Sequence, residues 1–271
     1  MAVSKCKYLI LLMIAALIAC DEEQLTKSLK AKDVDLLVVE GVLTNENIKH
    51  RVRLTHPYKT LNGKAAPRTG ALVRISDGNI IYLLTEFPVG SGDYYTPPLR
   101  AAFGLVYTLV VQYEGNEYVA SDSSIPVETM PPINYEKTEK GFKLNFDKSG
   151  QSSNYIDHYV SWSHTDQCAS SGLCENRLIF YDLKTADINE AFKPDKLDFN
   201  FPLNSIIVRK KFSTSVAFKN FLRSVLSETE WRGGVFDVER ANASTNVSNG
   251  GLGFFAVSTV VSDTTVAVAK P

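Results

Sequence analysis

Two histidines and two cysteines lie close together in the middle of the chain and could provide either a metal site or a disulfide bond. His158 and His164 precede Cys168 and Cys174 in the segment HYVSWSHTDQCASSGLC. The histidines share one face of a predicted strand, but six residues of strand place them roughly 20 Å apart, too far to bind one ion. Zinc sites also prefer a closer cysteine spacing than this. The flexible Ala-Ser-Ser-Gly-Leu loop, by contrast, allows the two thiols to meet.

A further cysteine, Cys20, follows the features of an export signal. Lys5 and Lys7 precede an apolar run at 8–18, which is too short to cross the ~30 Å hydrocarbon core as a helix and has the proportions of a secretory signal. The segment Leu17–Cys20 resembles the lipobox at which bacterial signal peptidase II cuts before the cysteine, whose thiol receives a diacylglycerol. We therefore predict a lipoprotein signal peptide at 1–19 and lipid attachment at Cys20. The alternatives are an ordinary signal with an incidental cysteine, or a short membrane anchor.

The predicted export decides between the two uses of the central cysteines. Cys6 is removed with the signal and Cys20 is used for the lipid, which leaves Cys168 and Cys174. In an oxidising compartment a remaining pair usually forms a disulfide bond. We predict that bond, no metal site and no cofactor.

The charge balance argues against a nucleic-acid partner. The chain has 29 Lys+Arg and 30 Asp+Glu, and its formal net charge of −1 falls to −3 when residues 1–19 and their two lysines are removed. The triplet Arg209–Lys211, with Lys219 and Arg223, is only a small basic cluster. Proteins that bind nucleic acid carry a much larger basic surface.

Residues 20–32 are polar and are predicted to form a tether between the lipid and the folded chain. The acidic run Asp21–Glu23 resembles the surface-export signal of lipoproteins in the Bacteroidota. A solvated tether that happens to be acidic is the alternative. We expect a lipid-anchored protein of the outer membrane, exposed at the cell surface.

No standard catalytic motif is present: the sequence lacks a G-x-S-x-G elbow, an H-E-x-x-H pair, a Walker loop and an EF-hand loop. We predict that the protein is not an enzyme. Aromatic residues in exposed loops are the remaining candidates for ligand contact, because loops on rigid β scaffolds often bind. They are Tyr94 and Tyr95 in the predicted loop 90–98, and Trp231 after the predicted helix, whereas Trp162 is predicted to point inward.

Short apolar runs separated by turns predict strands in the first half of the chain. ALVRIS-DG-NIIYLLTE at 71–86 is a strong hairpin signal, and YTLVVQY-EGN-EYVAS at 107–121 is a second one. Such strands, with no long helical period, predict a β-sandwich at 33–126. Three prolines in IPVETMPP then indicate a stiff linker at 127–132 before a second domain at 133–271.

The second half is predicted to be β-rich with one amphipathic helix at about 214–229. Ser213 or Thr214 is the expected N-cap. The apolar stripe has helical spacing and consists of Phe218, Phe221, Leu222, Val225 and Leu226. It is expected to face a core, with a partner-binding groove as the alternative. The runs at 233–239, 252–261 and 264–269 are expected to form closing strands, with Ser262–Asp263 as a turn.

An ordered set of segments resembles a known family. LLVVEGVLTN, RVRLT, GALVRISDGN with YLLTE, GLVYTLVVQYEGNEYVAS, and finally GGVFDVERANASTNVSNGGLGFFAVS are similar to the Bacteroidota lipoproteins of the domain of unknown function family 4249. The resemblance implies an immunoglobulin-like sandwich followed by a β-rich domain. It also implies a place beside a TonB-dependent outer-membrane transporter, in nutrient capture or uptake. A free-standing module that binds glycan or peptide, as in adhesion, is the alternative.

Overall fold

The alternating apolar runs form strands along most of the chain, and the fold is mainly β, as predicted. The computed structural model describes residues 36–58, 63–146, 151–168, 174–184, 199–229 and 243–269. The predicted signal peptide, Cys20 and the tether lie outside these residues, as do Trp231 and the expected strand at 233–239.

The elements of the described residues have the following bounds. In chain order they are β1 (Val38–Thr44), β2 (Arg51–Thr55), β3 (Leu72–Ser76), β4 (Ile81–Leu83), β5 (Thr85–Glu86), β6 (Asp93–Tyr95), β7 (Val106–Tyr113), β8 (Asn116–Ser123), β9 (Asn134–Thr138), β10 (Gly141–Asn145), β11 (Asn154–Ser161), β12 (Glu175–Asp182), β13 (Ile206–Ser213), the helix α1 (Val216–Glu228), β14 (Leu252–Ser258) and β15 (Val260–Val266).

Two sheets enclose the larger core. One has the strand order β14-β1-β2-β6-β5 and the other has the order β4-β3-β7-β8. Successive residues of a strand point to opposite faces, and in β7 this alternation buries Tyr107, Leu109 and Val111 between the sheets. The arrangement is that of a β-sandwich, while the immunoglobulin-like order of its strands stays a prediction.

The two hairpin turns read from the sequence are both present. Between β3 and β4, the Asp77 carboxylate accepts hydrogen bonds from the amides of Asn79 and Ile80 at 2.9 and 2.8 Å, and Gly78 has φ +92°. Between β7 and β8, Glu114 and Gly115 both have positive φ. This left-handed backbone is the conformation that matches the twist of paired strands in a two-residue turn.

The chain returns to the first pair of sheets near its end. β14 pairs in parallel with β1 along the whole length of both strands. The predicted division at 127–132 therefore needs a correction, because a strand from the region 133–271 completes a sheet of the region 33–126. Backbone hydrogen bonding, which sequence spacing does not reveal, assigns β14 to that sheet.

β14 and β15 are separated only by Thr259, and β15 joins a sheet outside the β-sandwich, with the order β12-β11-β13-β15. We call this four-stranded sheet the second sheet. The predicted turn at Ser262–Asp263 is wrong, since β15 runs through both residues. Asp263 is tolerated in mid-strand because it lies opposite Arg209 of β13, and its carboxylate accepts a hydrogen bond from that guanidinium at 2.9 Å.

The inner face of this second sheet packs against the hairpin β9–β10, because Tyr135 and Phe142 of the hairpin share one core cluster with Val160 and Ile207 of the sheet. Trp162, which directly follows β11, is buried there with Tyr135, Phe142 and Phe201. The inward orientation predicted for Trp162 is therefore confirmed.

The helix α1 contacts both the β-sandwich and the second sheet through aromatic residues: Phe218 packs on Phe254 of β14 and on Tyr155 of β11. Its N-cap is Ser215, whose hydroxyl accepts from the Phe218 amide at 3.1 Å, and not Ser213 or Thr214 as expected. The rings of Phe218 and Phe221 lie 5.2 and 5.1 Å from that of Phe254 in β14. Most of the predicted apolar stripe thus packs on the outer faces of the sheets and forms a core face.

Candidate functional site

The structure corrects one of the residues predicted to contact a ligand. Tyr94 is only 1% exposed, on the core side of β6. Its hydroxyl donates to the Arg68 carbonyl at 3.1 Å and accepts from the Ala71 amide at 3.0 Å. Both hydrogen-bonding functions of Tyr94 are therefore used inside the protein, and its side chain is structural.

The neighbouring Tyr95 lies on the other face of β6 and lines an open groove of about 680 Å³. We call this the edge groove. Its lining residues are Lys49, Leu83, Thr85, Phe87, Tyr95, Thr96 and Pro97. Leu83 and Phe87 are 58% and 70% exposed, and β4 and β5 are outermost strands of their sheets. The edge groove thus combines exposed apolar side chains with sheet edges.

Cys168 and Cys174 are joined by a disulfide bond with their Cα atoms 5.1 Å apart. His158 and His164 occupy different surroundings: His158 is buried in the second sheet, whereas His164 is exposed and its Nε2 lies 2.9 Å from the Asn204 carbonyl oxygen. Among the described residues, no three side chains of the metal-binding types come together. In the same part of the chain, no helix is long and apolar enough to cross a membrane.

A cavity that the sequence did not predict lies between the proline segment and the inner face of the second sheet. We call it the linker cavity, and its volume is about 570 Å³. Its lining residues are Met130, Pro131, Pro132, Ile133, Asn134, Asn145, Phe146, Asn154, Ile156, His158, Phe180, Arg209 and Lys211. Apolar and aromatic side chains supply much of this wall, and β11 and β13 supply its cations and its histidine.

Arg209 is a buried cation of the linker cavity that is hydrogen-bonded to a carboxylate and to a backbone carbonyl. It is 6% exposed, and its Nε donates to the Asp263 carboxylate at 2.9 Å. Its Nη2 donates to the second carboxylate oxygen of Asp263 and, at 2.8 Å, to the Pro131 carbonyl. Arg209 therefore holds the proline segment against the sheet.

Lys211, two residues further along β13, is a buried cation with a weaker partner. It is 3% exposed, and its Nζ lies 4.0 Å from the nearest Glu128 carboxylate oxygen. That carboxylate accepts hydrogen bonds from the amides of Gln151 and Ser152 and from the Ser152 hydroxyl. These hydrogen bonds lower the pKa of Glu128.

His158 faces the same cavity from β11, directly opposite Arg209 in the strand ladder. It is 4% exposed, and its Nδ1 has no hydrogen-bond partner among the described residues. Burial, together with the positive charge of Arg209, lowers the pKa of His158 to about 4. The imidazole is therefore neutral near pH 7, and its ring contacts Phe146 edge-on with ring centroids 5.1 Å apart.

Within the described parts of the chain, the linker cavity thus combines a cation 4.0 Å from its carboxylate partner, a buried imidazole whose Nδ1 has no hydrogen-bond partner, and apolar walls. Sequence reasoning treated Arg209–Lys211 as one small basic cluster. In the strand, Arg209 and Lys211 point inward, whereas Lys210 points to the other face and donates to Glu46 at 2.7 Å. The two-residue period of a strand is the signal that separates these three side chains.

These features define a mainly β protein. Its C-terminal strand run contributes β14 to one sheet of the β-sandwich and β15 to the second sheet, and a partly cationic cavity lies beneath the proline segment. The family model described as Domain of unknown function (DUF4249) matches residues 22–264. The chain belongs to this family, which confirms the predicted membership in domain of unknown function family 4249. A comparison with curated proteins finds no match.

Proposed function

We propose that this protein is a surface-exposed outer-membrane lipoprotein that binds a ligand without transforming it, and that it assists a TonB-dependent transporter in nutrient capture or uptake. The observation that carries the binding role is the linker cavity, which is lined by two buried groups with incomplete pairing in the part of the chain that the structure describes. Lys211 lies 4.0 Å from its carboxylate partner, and His158 Nδ1 has no hydrogen-bond partner. Protein interiors normally satisfy such groups, and small-molecule sites are concave and largely apolar with a few polar groups.

The anchoring part of the proposal is supported by the lipobox and by the acidic run that follows Cys20. The test is incorporation of labelled fatty acid into the full chain, followed by membrane fractionation. Cys20→Ala is expected to lose both the label and the membrane association. Cys6→Ala removes the other cysteine of the N-terminal region and is the matched control, which should keep both. An unchanged membrane fraction for Cys20→Ala would refute anchoring through this thiol.

The partner is supported by the family resemblance and by the edge groove, because contiguous exposed apolar surface on a folded protein often marks a protein contact. Purification of the lipidated protein from membranes should recover a transporter barrel. Phe87→Ser in the edge groove is expected to reduce that recovery. Val216→Ser, which alters an exposed apolar residue on α1, is the control. Failure to recover any barrel would remove the transporter from the proposal.

A second candidate function is a free-standing module that binds glycan or peptide. It is favoured by the position of Tyr95 and Phe87 beside outermost strands, where an extended peptide can add to a sheet. A glycan and peptide array with the purified protein tests it. A hit that is abolished by Phe87→Ser, together with no transporter recovery, would favour this second function over the first.

A further inference from the structure

The two buried cations of the linker cavity differ in how completely they are neutralised. Arg209 has hydrogen bonds to both carboxylate oxygens of Asp263 and to a backbone carbonyl. Among the described residues, the acidic group nearest to Lys211 is Glu128 at 4.0 Å, a distance beyond that of a hydrogen bond. A buried ammonium group is costly unless it is paired and hydrogen-bonded. Lys211 is therefore the group of this cavity whose surroundings are incomplete.

His158 places a second unsatisfied group beside Lys211. Their strands are neighbours in register, with His158 opposite Arg209 and Ile156 opposite Lys211. Residues diagonal to each other on one face of an antiparallel pair lie about 7–8 Å apart. Two side chains that extend from such positions toward one cavity can contact the same small group. The Nδ1 of His158 is enclosed and has no hydrogen-bond partner among the described residues, so it can donate to that group once the ring turns toward it.

The apolar part of the cavity wall indicates what kind of molecular body carries the small group that Lys211 and His158 contact. Phe146 and Phe180 are stacked with ring centroids 5.0 Å apart, and Ile133 and Ile156 also line the cavity. These side chains suit an apolar or aromatic body. The volume of about 570 Å³ lies within the range of sites for small molecules.

Charge limits the ligand to a single negative group. Lys211 can offer one positive charge, because Arg209 is already neutralised by Asp263. A dianion would bring a second charge close to the carboxylates of Glu128 and Asp263, both of which lie within reach of the cavity cations. A monoanion avoids that repulsion.

We propose that the linker cavity binds a small monocarboxylate with an apolar body, whose carboxylate contacts Lys211 and His158 while its body packs on Phe146 and Phe180. This assignment rests on the binding role proposed above and names its ligand class. Arg209 is a positioning residue, since it fixes the proline segment that forms the opposite wall.

The experiment is isothermal titration calorimetry on the full-length lipidated protein in detergent, with protein-free micelles as the blank. The probes are benzoate, phenylacetate and 3-phenylpropanoate, each compared with the alcohol of the same carbon skeleton, and acetate, which lacks the apolar body. At least one aromatic acid is expected to bind 10-fold or more tightly than both its alcohol and acetate. No heat of binding from any of the three acids at millimolar concentration, or equal affinity for acid and alcohol, would overturn the proposal.

Variants of β13 identify the cation. Lys211→Met should weaken binding of the best acid by at least 10-fold, and Lys211→Arg should retain much of it. Lys210→Met, adjacent in sequence but on the opposite face, should bind like the wild type. Equal affinity for Lys211→Met and the wild type would refute the role of Lys211. If Lys211→Met does not fold, the wild-type comparison of acids with alcohols decides the proposal.

These results are independent of the lipid-labelling and transporter experiments. Loss of the carboxylate preference would refute this ligand class and leave anchoring and partnership standing. Failure of those two experiments would leave a measured acid affinity intact.

Discussion

His158 gives the stability of this protein a component that depends on pH. The imidazole is buried opposite Arg209, and its pKa is lowered from 6.5 to about 4. A histidine whose pKa is lowered on folding binds its proton more readily in the unfolded chain, so acid favours unfolding. The component is fully present above pH 6.5 and is lost as the pH falls toward 4. At 1.36 kcal/mol for each pH unit, it amounts to about 3 kcal/mol.

The assay is urea unfolding of the wild type and of His158→Gln at several pH values between 4 and 8. Glutamine does not titrate, so the free energy of unfolding of the variant lacks this component. The difference between the two proteins should therefore change by about 3 kcal/mol across this range, in the direction that favours the wild type at neutral pH. Other groups that titrate, including the buried His50, whose pKa is also lowered by burial, affect both proteins and cancel in the difference.

His164→Gln is the matched control, because it makes the same chemical change at an exposed ring. Parallel curves for His158→Gln and the wild type would refute the reasoning, since they would show that His158 titrates alike in the folded and unfolded chain. A change centred above pH 6.5 would refute it as well.

Three further predictions concern local features and are tested by urea unfolding. Gly253→Ala places a Cβ 2.0 Å from a β1 carbonyl oxygen and should lower the free energy of unfolding by about 3 kcal/mol or more. The control Gly250→Ala, also at positive φ but with no heavy atom of the described residues within 4 Å, should lower it by about 1 kcal/mol. Equal losses would contradict the close approach at Gly253. Asp122→Asn keeps an acceptor for a β14 amide 2.9 Å away and removes a carboxylate whose pKa is raised by burial. Because the charged form is the penalised one, the variant should be at least as stable as the wild type at pH 7, and any gain should vanish below pH 4; a clear loss at pH 7 would contradict this account. Ser215→Ala removes the N-cap of α1 and should cost about 1 kcal/mol, and unchanged stability would show that the cap is dispensable.

Features of the fold that depend on residues close together in the sequence can be predicted from the sequence. The turn at Asp77–Gly78, the alternation in β7 and the apolar stripe of α1 each follow from a local pattern, and the structure contains all three. Pairing between distant strands leaves no such local pattern. The sequence predicts one strand at 252–261 followed by a turn, whereas hydrogen bonding with β1 and β13 divides this region into β14 and β15, which belong to different sheets.

Tyr94 shows how a local signal can mislead. The surrounding GSGDYYTPP is rich in glycine and proline and predicts an exposed loop. The structure contains a three-residue strand within it, and a strand of any length points alternate residues to opposite faces. Tyr94 consequently enters the core while Tyr95 lines the edge groove. The same reasoning explains why Arg209 and Lys211, but not Lys210, enter the linker cavity.

The position of the linker cavity follows from the chemistry of proline. Pro131 and Pro132 have no backbone N–H, so this part of the segment offers its neighbours only hydrogen-bond acceptors. A sheet face that packs against it needs donors to satisfy the carbonyls, and Arg209 supplies one to the Pro131 carbonyl. The cations beneath the segment thus face acceptors of the segment: Arg209 donates to the Pro131 carbonyl, and Lys211 lies 4.0 Å from the Glu128 carboxylate. A segment that is predicted to be a linker from the sequence is for this reason the one that forms a wall of the linker cavity.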